Sequence, residues 1–145
     1  MRFVWDDGGR KEAGYRGNAD DCVCRAVAIA TGLPYAHVYQ QLEFAAAVER
    51  PRGRKRRSHP RTGVHIPTIR RFLDSLGWVW VPTMTIGSGC KVHVRASELP
   101  AGRLILNLSR HLCAMIDGVV HDTHDPSRDG TRCVYGYWHY PELTD

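Results

Sequence analysis

The chain reads as an α+β domain on three observations. Apolar residues recur at helical spacing through its first half. Short runs rich in β-branched and aromatic residues fill the second half, and Asp117-Gly118 between two of those runs is a two-residue hairpin signal. Helices first and an antiparallel sheet after them is the α+β pattern. At 145 residues there is room for one domain with a real core, spanning 1–145, and no room for two ordinary ones.

Taken in order, Phe3 to Trp5 suits a short strand, and a polar, glycine-rich lead-in follows from Asp7 to Ala19. The next stretch reads as a helix opening on a cysteine. Asp21 is a good N-cap, Val23, Ala26, Val27 and Ala30 form one apolar stripe, and Gly32 is a natural stop. Pro34 suits the first position of a second helix, in which Tyr35, Val38, Leu42, Ala45 and Ala46 keep helical spacing until Pro51 ends it. A third helix is expected from about Pro67 to Leu76, with Ile66, Ile69, Phe72, Leu73 and Leu76 on one side and Gly77 as its stop. Strands are expected at 78–81, 92–94, 104–108, 112–116, 119–122 and 133–138. Trp78 and Trp80 share one sheet face and should cover a helix.

The formal charge is +5, and much of it sits in one run, Arg50 to Arg61; the rest of the chain is close to neutral or acidic. That run, at about 50–62, has no apolar residue with which to pack and reads as an exposed, mobile loop whose Arg54, Lys55, Arg56 and Arg57 suit an acidic protein or nucleic acid. Without an aromatic residue it offers no stacking platform for bases. No window approaches a membrane span, and the N-terminus lacks a hydrophobic signal region. Five cysteines, an odd count, then argue for free thiols in a reducing compartment, so a soluble cytoplasmic protein is expected.

A thiol in the first turn of a helix lies among unpaired backbone N–H groups at the positive end of the dipole, which favours the thiolate. Cys22 is therefore the candidate nucleophile. Such a thiol needs a base, and the base a group to orient it. If Asp117-Gly118 is a two-residue turn, Ile116 faces Val119, Cys113 faces Asp122 and His111 faces His124. His111, Cys113, Asp122 and His124 then share one sheet face, and Asp122 is the diagonal neighbour of His111. Asp117 lies in the turn and Asp125 has the opposite parity, so both are weaker candidates, and a register slip of one residue would exchange these assignments.

The order Asp21-Cys22, then His111-Leu112-Cys113-Ala114, then Gly118-Val119-Val120-His121-Asp122 resembles the papain-like cysteine peptidase fold. It is similar in particular to small bacterial and phage-type members related to the bacteriocin-leader peptidases. The resemblance implies Cys22 as nucleophile, His111 as base and Asp122 as orienter. Members of that fold commonly carry a Gln shortly before the cysteine as an oxyanion donor; here the nearest amide is Asn18, closer to the cysteine than that Gln usually lies. Asp20 and Asp21, beside the thiol, oppose thiolate formation unless they are tied up or point away.

Cys24 lies deeper in the helix, and Cys90 sits in the glycine-rich turn Ile86-Gly87-Ser88-Gly89-Cys90. Structural zinc uses two closely spaced ligand pairs, a pattern missing here, so no metal and no cofactor are expected. The expected activity is thiol attack on a peptide or isopeptide carbonyl of a protein substrate. Deamidation or acyl transfer would use the same triad, and a non-catalytic binding module built around the basic loop is the rival from another class.

Overall fold

The computed structural model describes residues 3–50 and 53–141; Pro51 and Arg52 of the basic run lie outside them. Among the described residues the order is β1 (Phe3–Trp5), α1 (Cys22–Thr31), α2 (Tyr35–Ala47), α3 (Ile66–Ser75), β2 (Val79–Pro82), a 3-10 turn (Ala96–Glu98), β3 (Arg103–Leu108), β4 (His111–Ile116), β5 (Val119–Asp122) and β6 (Gly136–His139). The strands form one sheet in the order β1-β5-β4-β3-β6-β2. The α+β class holds, but the sheet is mixed and not purely antiparallel, because β1 runs parallel to β5. An N-terminal strand reaches the sheet after no hairpin, so nothing local dictates its direction.

The sheet is covered on both faces. On one, α1, α2 and α3 bury Val27, Val38, Leu42, Ile69 and Leu73 against Ile105, Leu112, Ala114 and Trp138. On the other, Leu104, Leu106, Met115 and Val120 pack with Val94, Leu99 and Val134, supplied by loops. Each fully buried Leu or Ile contributes about 1.5–3 kcal/mol of transfer free energy. Trp78 is buried in the helical layer, while Trp80 stacks on Trp138 at 4.4 Å between ring centroids and takes the Arg70 guanidinium of α3 over its ring, as expected for a helix-covering pair.

α1 is buried beyond the four-residue stripe read from its sequence: Val23, Cys24 and every residue from Ala26 to Ala30 are buried. The lead-in explains the difference, since it closes over the outer side of the helix. Gly8, at φ 71°, approaches so closely that an added Cβ would lie 3.0 Å from the Arg25 carbonyl oxygen. Tyr15 of the same segment packs on Tyr35 and Tyr39 of α2.

Other sequence expectations are corrected by the fold. Residues 92–94 do not form a strand; His93 makes a single antiparallel bridge with Cys133, and β6 begins only at Gly136. Cys90 and Cys133 form a disulfide, so the free thiols are Cys22, Cys24 and Cys113 and not all five. The basic run is not loose throughout. Arg54, Lys55 and Arg56 are exposed, but Arg57 donates to the Ala46 and Ala47 carbonyls at the end of α2, and Ser58 is buried. Arg61 donates to the Arg16 and Asn18 carbonyls and accepts from the Asp20 N–H. Hydrogen bonds to backbone groups, which hydrophobic patterning does not register, supply the order that apolar packing would otherwise give. No helix among the described residues is long and apolar enough to cross a membrane.

Candidate active site

Cys22 is the first residue of α1, and the Asp21 carbonyl accepts the first intrahelical bond from Arg25. The Asp21 side chain does not cap the helix. Its buried carboxylate pairs instead with the Arg25 guanidinium, with Arg10 Nε at 3.4 Å and with the Tyr35 hydroxyl at 2.6 Å. The charge that would have opposed a neighbouring thiolate is thereby neutralised, and the first-turn N–H groups are left to the cleft. Asp20 is exposed and held only through its backbone.

The β4–β5 hairpin has the register read from sequence. Ile116 pairs with Val119, Met115 with Val120 and Ala114 with His121, across a turn whose Asp117 and Gly118 both have positive φ, at 47° and 79°. His111 opens β4 and Asp122 closes β5, so both stand at the strand ends beside the start of α1. His111 Nε2 lies 2.6 Å from Asp122 Oδ2. The other carboxylate oxygen accepts the Thr123 N–H at 2.7 Å and faces Arg25 Nη2 at 3.5 Å. With Nε2 committed to Asp122, Nδ1 is the nitrogen left for the thiol, and His111 and Cys22 line the same cleft, near enough for each to shift the other's pKa.

The electrostatics follow from this arrangement. Burial alone would raise the Cys22 pKa, but the hydrogen bond and charge of His111, a backbone hydrogen bond from Leu112 and the charge of Arg25 bring it below the ordinary thiol value. Burial would lower His111, yet its bonds to Asp122 and Cys22 raise it to about 9. Asp122 resists the upward pull of burial because His111 bonds and charge hold it below the usual carboxylate range. The thiol is thus shifted toward the thiolate and the imidazole toward the imidazolium. The other free thiols are unsuited: burial pushes Cys24 to about 12 and drives Cys113 higher still.

Cys22 and His111 lie in a cleft of about 870 Å³. One wall comes from residues 62–66 and Ile69 at the start of α3, the other from the β3–β4 turn with Thr123, His124 and Tyr135. Asn18 is exposed and does not line this cleft; its carbonyl is taken by Arg61. Asn107 of β3, which the sequence reading passed over, does bring an amide to the wall. Its position two residues before the Ser109-Arg110 turn offered no distinguishing signal. Arg25 was also missed, although its i,i+4 spacing from Asp21 is legible as an ion-pair pattern.

His111, Asp122 and His124 place donor atoms within 4.8 Å of one another, a spacing that a divalent cation could bridge. The set fits a metal poorly. His111 and Asp122 already bond each other, and a histidine raised to about 9 is mostly protonated at neutral pH and has no free lone pair. Compared with family models, curated proteins and solved structures, the chain matches none.

Proposed function

We propose that the chain is a cysteine-dependent hydrolase of papain-like type, a peptidase or isopeptidase working through a thioester. One observation carries the reading: His111, bonded to Asp122 at 2.6 Å, shares a cleft with Cys22, and the thiol is shifted down and the imidazole up. Cys22 Sγ attacks the substrate carbonyl carbon, and the carbon–nitrogen bond breaks as His111 gives its proton to the leaving amine. Water, deprotonated by His111, then attacks the thioester; the carbon–sulfur bond breaks, and the carboxylic acid leaves. Asp122 keeps the imidazole oriented and supports its positive charge. Every proton moves between side chains and substrate, so the scheme calls for no cofactor. With an amine in place of water the same triad performs acyl transfer, and with a side-chain amide as substrate, deamidation.

The proposal includes a cytoplasmic setting, in which Cys22 stays reduced; the Cys90–Cys133 disulfide is the observation that runs against it. The rival binding-module reading draws on the exposed Arg54, Lys55 and Arg56 and leaves the paired pKa shifts without a purpose. Incubation with p-nitrophenyl acetate separates the two. The expected result is a burst of nitrophenol, an acetyl group on Cys22 by mass spectrometry and slow turnover, with acylation slowed on the order of 10²–10⁴-fold in His111→Ala. Absence of Cys22 acetylation, or equal acetylation of the wild type and His111→Ala, contradicts the enzyme reading.

A further inference from the structure

We propose that the cleft takes an acidic polypeptide segment, gripped by Arg110 on one wall and by Lys55 and Arg56 beyond the other. The inference rests on the thiol-hydrolase reading above and names the substrate class of that same site. Arg110 is the second residue of the tight turn that pairs Leu108 with His111, and its φ of 57° fixes it immediately before the base. It is exposed and lines the cleft, and its guanidinium makes no hydrogen bond or ion pair among the described residues. Neighbouring arginines differ: Arg25, Arg57 and Arg61 are all committed to protein acceptors.

His65 stands in the opposite wall and also lines a second hollow of about 130 Å³, shared with Arg50, Lys55 and Arg56. His65 Nε2 is 2.6 Å from the Arg56 carbonyl oxygen, which ties the basic run to the edge of the cleft. The two concavities are therefore one residue apart, and a chain leaving the cleft past His65 meets the cations directly. Carboxylates offset little of this charge. Asp21 is buried in its own ion pairs, and Glu49 in the hollow is taken by the Ser58 N–H and the Thr68 hydroxyl, which leaves Asp20 as the exposed acid of the cleft wall. A polypeptide is favoured over nucleic acid on chemistry. The thiol needs a carbonyl with a leaving group, which a phosphodiester backbone lacks, and the basic run has no aromatic residue on which bases would stack.

The test uses hexapeptides of alternating Glu and Gly and their Gln-for-Glu counterparts, each carrying an N-terminal iodoacetyl group or a C-terminal chloromethyl ketone. In either case the Cys22 sulfur displaces halide and forms a carbon–sulfur bond. The acidic probe should label Cys22 about tenfold faster than its neutral counterpart at low salt in at least one orientation, as two or three exposed charge contacts predict. The advantage should shrink at high ionic strength. It should also fall severalfold in Arg110→Gln and in the double variant Lys55→Gln, Arg56→Gln. The ratio is taken within each protein, so general damage to the site lowers both rates and leaves the ratio in place. Equal rates for acidic and neutral probes in both orientations, with iodoacetamide still selecting Cys22, overturn this proposal and spare the enzyme reading. Iodoacetamide labelling without preference for Cys22 overturns both. Oligothymidylate that shields Cys22 as well as the acidic peptide does would overturn the polypeptide assignment.

Discussion

Asp122 joins the chemistry of the site to its stability, because one carboxylate orients the base and is itself buried. His111 owes its raised pKa in part to this partner, so Asp122→Asn, which keeps the shape and removes the charge, should move the alkaline limit of activity down from about 9 toward the ordinary histidine value. A pH–rate profile of acylation checks this. The same residue governs acid stability. Its native pKa lies below the unfolded value of 3.8, so its contribution is present above that value and is lost as pH falls through the native pKa. Urea denaturation at pH 5 and at pH 3 should show a loss on acidification that is smaller in Asp122→Asn than in the wild type. Asp21, adjacent to the nucleophile, shows what a sequence conceals at this scale. It reads as a cap, yet its side chain serves Arg25, Arg10 and Tyr35, which are spread over the lead-in and two helices.

Elements with strong local signals were legible from residues alone. Gly32 stops α1 in the left-handed conformation, at φ 75°, and donates to the Ala28 carbonyl. The Asp117-Gly118 turn fixed the β4–β5 register and through it the His111–Asp122 pair. Elements set by distant partners were not. The direction of β1 depends on β5, more than a hundred residues later. Residues 92–94 have strand-like composition but lie outside the sheet order, paired only through one bridge. Gly136, at the start of β6, is another long-range requirement: a Cβ there would run into the Trp80 ring and approach the Val81 carbonyl oxygen within 2.9 Å. Gly136→Ala should therefore destabilise the fold by about 1–3 kcal/mol, measured by denaturant titration. An unchanged midpoint would mean that Trp80 does not cross β6 as described.

For the whole molecule, the sequence fails most clearly where order comes from polar bonds or from cysteine pairing. Arg57, Ser58 and Arg61 anchor a run whose composition reads as disordered, because each finds a backbone or carboxylate partner outside the run, at the end of α2 or in the lead-in. Cysteine counting gave five free thiols, whereas the fold brings Cys90 and Cys133 together across 43 residues. Thiol titration of denatured protein purified without reductant should therefore find three free groups, rising to five after reduction. Native protein should react at Cys22 first, since Cys24 and Cys113 are buried. That selectivity is the central claim, and its most direct measurement is the rate of Cys22 alkylation by iodoacetamide against pH, in the wild type and in His111→Ala. A thiolate held by imidazolium predicts fast labelling that persists well below pH 9 in the wild type and retreats toward the ordinary thiol value without His111. Identical profiles in the two proteins, both rising only near pH 9, would contradict it.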